Sequence, residues 1–255
     1  MKKISKNITS FILSITMLFT LSSPAFAVEN FPPNQNSQRE NWIVASAEDG
    51  SIYLENEATG EIIVSAFKID ENGIEQPVDL VEYANELNNI SIIPTIDYLN
   101  KQTDIMPRKG TAVAYSYTEK TSYKGIGTGI KVTPDIVGPA TITYGESVSV
   151  SEQFGGGITI STEIKKAITA EANFTWNVEL SSSANFTVSK DIVAGRTGYV
   201  EFRPYLNVTK GTLTKKVIHV PEGFVVSSTD YDAWGQCPIM LSSGFADGIY
   251  DVRYK

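Results

Sequence analysis

"ITAEANFTWNVELS", residues 168–181, decides how this chain is read. Ile168, Ala170, Ala172, Phe174, Trp176, Val178 and Leu180 are apolar. The positions between them are Thr169, Glu171, Asn173, Thr175, Asn177 and Glu179. A strand turns successive side chains to opposite faces, so the alternation predicts a ribbon with one apolar and one hydroxyl-rich face. A one-residue slip would bury Glu171 and Glu179 and expose Trp176, which fixes the register. The same period-two pattern runs more loosely from Ile142 to Val188.

Toward the C-terminus the chain continues as short strand-like runs. They are "AGRTGYVEFRPYLNVTKGTL" (194–213), "KKVIHV" (215–220), "GFVVSS" (223–228) and "GIYDVRY" (248–254), each bounded by Gly, Pro or Asp. Upstream, Val113, Tyr115 and Tyr117 alternate with small residues. The Gly-rich 125–129 is a turn or bulge; it lacks the residues of a nucleotide-binding loop. The fold class expected is all-β: an elongated antiparallel sheet or sandwich with a small N-terminal β-meander and one short helix.

The meander is read from Trp42–Ala45, Ile52–Leu54 and Ile62–Ile69, separated by Asp49-Gly50, Thr59-Gly60 and Asn72-Gly73. Such pairs supply the positive φ of tight turns. Their acids are turn formers, not a spaced calcium loop. The spacing predicts a helix over 77–90, with Leu80, Val81, Ala84 and Leu87 on its buried face and Pro77 and Asp79 at its start. Residues 93–110 have no period and contain Pro94, Pro107 and Arg108-Lys109, the composition of a cleavable linker.

The first residues look like an export signal. Lys2, Lys3 and Lys6 precede the apolar run Phe11–Leu21, and Ala25-Phe26-Ala27 places small residues where a signal peptidase reads them. The expected organisation is therefore 1–27 signal peptide, 28–109 small N-terminal region and 110–255 all-β main domain, with the mature chain beginning at Val28 and secreted.

Composition narrows the function classes. A formal charge of −8, from which a cleaved signal would remove three more lysines, opposes nucleic acid and anionic head groups as primary partners. One Cys and one His leave little material for a nucleophilic triad or a zinc site. His219 lies in an apolar strand and Cys237 precedes Pro238 without a neighbouring base. No catalytic residue, metal ligand or cofactor site is assigned, and the chain is read as non-enzymatic.

The order of signal peptide, Ser/Thr-rich alternating strands and "VSKDIVAGRTGYVEFRPYLNV" (188–208) resembles the aerolysin-type β-pore-forming proteins, in which an insertion hairpin precedes a strand opened by a Gly- or Pro-containing turn, here Ala194-Gly195. "VTPDIVGPATI" (132–142), "AGRTGYVEFRPY" (194–205) and "GFADGIYDVRY" (244–254) resemble secreted proteins of Gram-positive bacteria. The resemblance covers about 111–255 and implies a fold more than an activity. The function expected is engagement of a membrane or cell-surface receptor, with assembly into a homo-oligomeric pore as its fullest form. Ile168 to Leu180 would then be the inserting ribbon, since about 10 alternating residues span a bilayer as a strand. The alternative is a secreted binding module for an envelope polymer or protein, without lytic activity.

Overall fold

A computed structural model describes residues 40–89, 110–145, 150, 152–172, 176 and 188–255. The expected signal peptide and leader, the linker with Arg108-Lys109, and residues 173–175 and 177–187 lie outside them. The described chain opens with β1 (Trp42–Ser46), β2 (Ile52–Asn56), β3 (Ile62–Ile69) and β4 (Glu75–Val78), paired antiparallel in sequence order. Gly50, Gly60 and Gly73 have φ near +80°, as the turn pairs require. Asp70 Oδ1 accepts the amides of Asn72 and Ile74, each at 2.9 Å, so this acid builds its turn.

Helix α1 (Leu80–Asn88) follows, capped by Asp79, whose carboxylate accepts the amides of Val81 and Glu82. Pro77 belongs to β4, so the helix begins three residues later than the sequence suggests. Its buried face is Tyr83, Ala84 and Leu87, while Val81 is exposed. The aliphatic Val81 loses to the larger Tyr83, which also finds a buried partner for its hydroxyl (below).

The remaining elements are β5 (Thr111–Ile126), β6 (Ile130–Lys131), β7 (Ile136–Val137), β8 (Ala140–Tyr144), β9 (Gln153–Gly155), α2 (Thr162–Ala172), β10 (Val188–Ile192), β11 (Thr197–His219), β12 (Val225–Pro238) and β13 (Gly248–Tyr254). The fold is all-β and mostly antiparallel, with two short helices. Its axis is β11, 23 residues long, which is roughly 75 Å of extended chain. Over Thr197–Pro204 it pairs with β13, β6 and β7; over Tyr205–His219 it lies between β5 and β12. Pro204 sits where β13 ends and β5 has not begun, so its missing N–H breaks no continuous ladder. At the register shift beside Gly211 a Cβ would meet Thr118 O at 2.3 Å and the Tyr117 hydroxyl at 2.8 Å, so only glycine lets β5 run past.

The stretch read as one ribbon divides. Its two ends pair, β8 with β10, placing Ile142 opposite Lys190 and Tyr144 opposite Val188. Between them, among the described residues, β9 is a short strand and residues 162–172 form the helix α2. Ile164 and Ile168 are fully buried one helical turn apart, Ala167 packs beside them, and Ala170 is exposed. Ile164, Ile168 and Ala172 are spaced by four and share a face in both a strand and a helix; only Ala170, small enough to be exposed, separates the two readings. Helix-favouring alanines and the start signal at Ser161 decide it. Ser161 Oγ accepts the amide of Ile164 at 3.3 Å, and Ser161 O accepts that of Lys165 at 3.0 Å.

Among the described residues the sheet continues across the boundary expected near residue 110: β3 pairs with β13, and Phe67 and Ile69 share a core with Ile142, Val200 and Phe202. On one face of the shared sheet Phe67, Val200, Phe202, Tyr250 and Val252 pack under Ile142, Tyr144, Val188 and Ile192 of the β8–β10 ribbon. On the other, Ile63, Ala66 and Ile249 meet Trp42, Leu54 and the buried face of α1. There the sheet also carries a buried ionic cluster. Arg253 Nε donates to Asp251 Oδ1 at 2.7 Å, and the same guanidinium lies 2.7 Å from Glu201. Arg203 bonds Glu201 at 3.1 Å and Glu40 at 2.9 Å. Tyr83 of α1 donates to Asp251 Oδ2 at 2.6 Å. Burial, with Asp251 and Glu40 nearby, raises the Glu201 carboxyl above its usual range although two arginines oppose it. Burial works against the Arg253 charge, but Asp251 and Glu201 outweigh it and raise its pKa.

Candidate functional site

The residues of the expected inserting ribbon scatter in this structure. Ile168 is buried in α2, Ala170 faces outward on the same helix, and Ala172 ends it half-buried. Phe174, Val178 and Leu180 lie outside the described residues. Trp176 is buried against Phe154, with ring centroids 6.2 Å apart, and covers Gly235 of β12. Trp176, Ile164, Ile168, Tyr117, Leu213 and Ala233 form one core over the three-stranded part of the sheet, β5–β11–β12.

Exposed large apolar side chains occur on β1 and β2 (Ile43, Val44, Ile52) and singly at Ile74, Val81, Val137 and Val193; a further group of four lies at the far end of that three-stranded part. β11 and β12 are joined by a turn in which Gly223 N donates to His219 O at 2.8 Å and His219 N to Phe224 O at 2.9 Å. Val220 N donates to Gly110 O at 2.8 Å, which brings the start of β5 to the same end. Val220, Phe224, Val225 and Val226 are 50%, 57%, 52% and 54% exposed. Val225 pairs with Ile218 and Ser227 with Val217, so Val226 is the extra residue of a bulge. The four exposed apolar side chains are thus gathered at one hairpin end, where the ladder is interrupted. Behind the tip Val113 and Val217 pair, and Ile218 pairs with both Ala112 and Val225. Counting inward from Val220, the apolar zone is about 10 Å deep at strand rise. Next come Lys216, Ser227, Ser228 and Thr229, a polar collar.

His219 sits in this turn and has no nucleophile beside it. Its ring stacks on Phe224 at 5.0 Å and 10°, and Nδ1 contacts the Glu222 carboxylate. That contact leaves the one acid of the tip partnered. Cys237 is buried in the α2 core, and burial, with the negative charge of Glu152, pushes its thiol up to about 11. The thiol is therefore protonated at neutral pH and packs as a small apolar group. Among the described residues no three His, Cys, Asp or Glu side chains gather to hold a metal ion, and no helix is long and apolar enough to cross a membrane.

Sequence reading missed the tip because "GFVVSS" looks like one more strand. The available signal was the failure of alternation at Phe224-Val225-Val226, directly after a Pro-Glu-Gly turn. Comparison with family models, with curated proteins and with solved structures finds no match to this chain.

Proposed function

We propose that this is a secreted, non-enzymatic β protein that engages a membrane through the end of the β11–β12 hairpin. The observation that carries the reading is the exposure of Val220, Phe224, Val225 and Val226, four large apolar side chains gathered at the end of one hairpin. Apolar depth of about 10 Å followed by a hydroxyl and lysine collar matches interfacial insertion. Strand length supports the further step of oligomerising into a pore. β5, β11 and β12 each exceed the roughly 10 residues that span a bilayer as a tilted strand.

Sedimentation with phosphatidylcholine vesicles, together with release of an encapsulated dye, tests this. Burying the remaining half of each valine stabilises the bound state by about 0.8–1.5 kcal/mol. Val225→Ser with Val226→Ser should therefore weaken partitioning by roughly tenfold or more, and 1 M salt should not abolish binding. Equal partitioning of variant and parent would refute the tip as the contact. Binding without dye release would reduce the proposal to surface engagement.

A further inference from the structure

Where α1 ends, its last turn faces the end of β5, Tyr205 of β11 and the loop between β12 and β13 across a half-open cleft of about 550 Å³. Asn85, Glu86 and Asn89 of the α1 end, Lys124 and Ile126 of β5 and Asp247 line it. A cleft of this size accommodates one to two sugar rings.

Charge at the cleft argues against ionic ligands. Glu86 and Asp247 are offset by Lys124 and by Lys68, whose ammonium lies 4.5 Å from the Tyr205 ring centroid. The helix C-terminus adds a partial negative charge, which disfavours phosphate and carboxylate ligands. The lysines already answer the two carboxylates, which removes the incentive for a cationic peptide. The available side-chain chemistry is planar and polar, two amides and two carboxylates, as suits pairs of adjacent hydroxyls.

The site is also preorganised. Tyr205 donates its hydroxyl to Glu86 Oε2 at 3.0 Å, and Lys68 holds its ring. Its backbone is locked on both sides: Tyr205 N donates to Asp247 O and Tyr205 O accepts from Ile239 N, each at 2.8 Å. Burial, with the charge and hydrogen bond of Glu86, raises the Tyr205 phenol, so it stays a neutral donor. Asn89 is fixed by its amide bond to Asn85 O at 2.8 Å. The side chains of Asn85 and Asp247 form no hydrogen bond with the described residues, which leaves them free for a ligand. Fixed polar groups lose little conformational entropy on binding a hydroxylated ring.

We propose that this cleft binds a neutral saccharide and supplies the recognition half of surface engagement, with the hairpin tip as the membrane half. The inference rests on the surface-engaging reading but on a different part of the molecule, about half of β11 away from the tip.

Saturation-transfer NMR of the purified full chain tests it, with tri-N-acetylchitotriose and maltotriose as separate probes. Transfer to ring protons of either trisaccharide is expected, and the arm that responds tells an N-acetylated glycan from a plain glucan. Asn85→Ala and Asp247→Ala should each raise Kd at least tenfold with an unchanged melting temperature, because neither side chain bonds within the fold. Tyr205→Phe, which releases Glu86, serves as a third variant. No transfer from either probe, or transfer undiminished in both alanine variants, would overturn the proposal. Vesicle sedimentation of the same variants separates the two readings. Loss of sugar contact with intact vesicle binding is expected, and failure of vesicle binding in the parent would refute the tip alone.

Discussion

Trp176 and Gly235 offer a test of the packing that replaces the expected ribbon. A Cβ on Gly235 would lie 2.7 Å from the Trp176 ring, with a second ring atom at 3.2 Å. β12 is held by β11 on one side and by β9 on the other at this position, so its backbone cannot retreat. Gly235→Ala should therefore destabilise the protein by about 1–3 kcal/mol through overpacking. Trp176→Ala should cost about 3–5 kcal/mol through loss of buried ring and cavity formation. In the Trp176→Ala background the clash is gone. Alanine at 235 then fills part of the cavity and restricts the unfolded chain, which contributes roughly 0.5–1 kcal/mol of stability. The sign of Gly235→Ala should reverse between the two backgrounds, a coupling on the order of 2–3 kcal/mol. Urea unfolding of the four proteins, followed by circular dichroism, measures it. An equal cost of Gly235→Ala in both backgrounds would show that Trp176 does not cover Gly235.

Three further outcomes are expected. Ile168→Ala should cost about 2–5 kcal/mol, whereas Ala170→Asp, on the exposed face of α2, should change the free energy of urea unfolding by less than about 1 kcal/mol; a severe Ala170→Asp would restore the strand reading. Asp251→Ala should destabilise by about 3–5 kcal/mol because it leaves Arg253 and Tyr83 buried without their carboxylate, and a melting temperature unchanged from the parent would contradict that. Glu40 is partly buried, which raises its carboxyl, but Arg203, the Trp42 indole and Arg253 outweigh burial and hold it below 4.5. Its contribution is thus present above pH 4.5 and is lost as pH falls through its lower folded value. The gap in stability between the parent and Glu40→Gln should narrow between pH 6 and 3, and a gap independent of pH would refute the pairing.

Local chemistry made the meander and α1, residues 42–88, legible. Asp49-Gly50, Thr59-Gly60 and Asn72-Gly73 mark their turns, and Asp79 starts its helix, because each acts within a few residues. What failed depends on distant partners. Ile168 and Ala172 fit two periods at once; Ser161 and the alanines favour the helix locally, and the core formed with Tyr117 and Leu213 holds its buried face. Pro204 and Gly211 look like breaks between strands, yet β11 runs through both because its neighbours change there. Glu201 and Arg203 look like a solvated face in "VEFRPY", and become buried only when Glu40, Trp42 and α1 cover them. The tip was in view as three consecutive apolar residues, but a break in a pattern is easier to overlook than the pattern.

The placement of β13 has a consequence for how the chain reaches this state. It is buried along its whole length and lies between β3 and β11, so it is the only strand that joins the meander to the long axis of the sheet among the described residues. The contact of Tyr83 with Asp251 closes a loop of 168 positions. A chain emerging from the ribosome in order can pack Ile63 and Tyr83 against Trp42 and Leu54 early, whereas the Phe67 ring and the Tyr83 hydroxyl wait for Tyr250 and Asp251. Closing so distant a pairing is slow. The sheet is therefore joined across β13 only after both of its neighbours, β3 and β11, have been made.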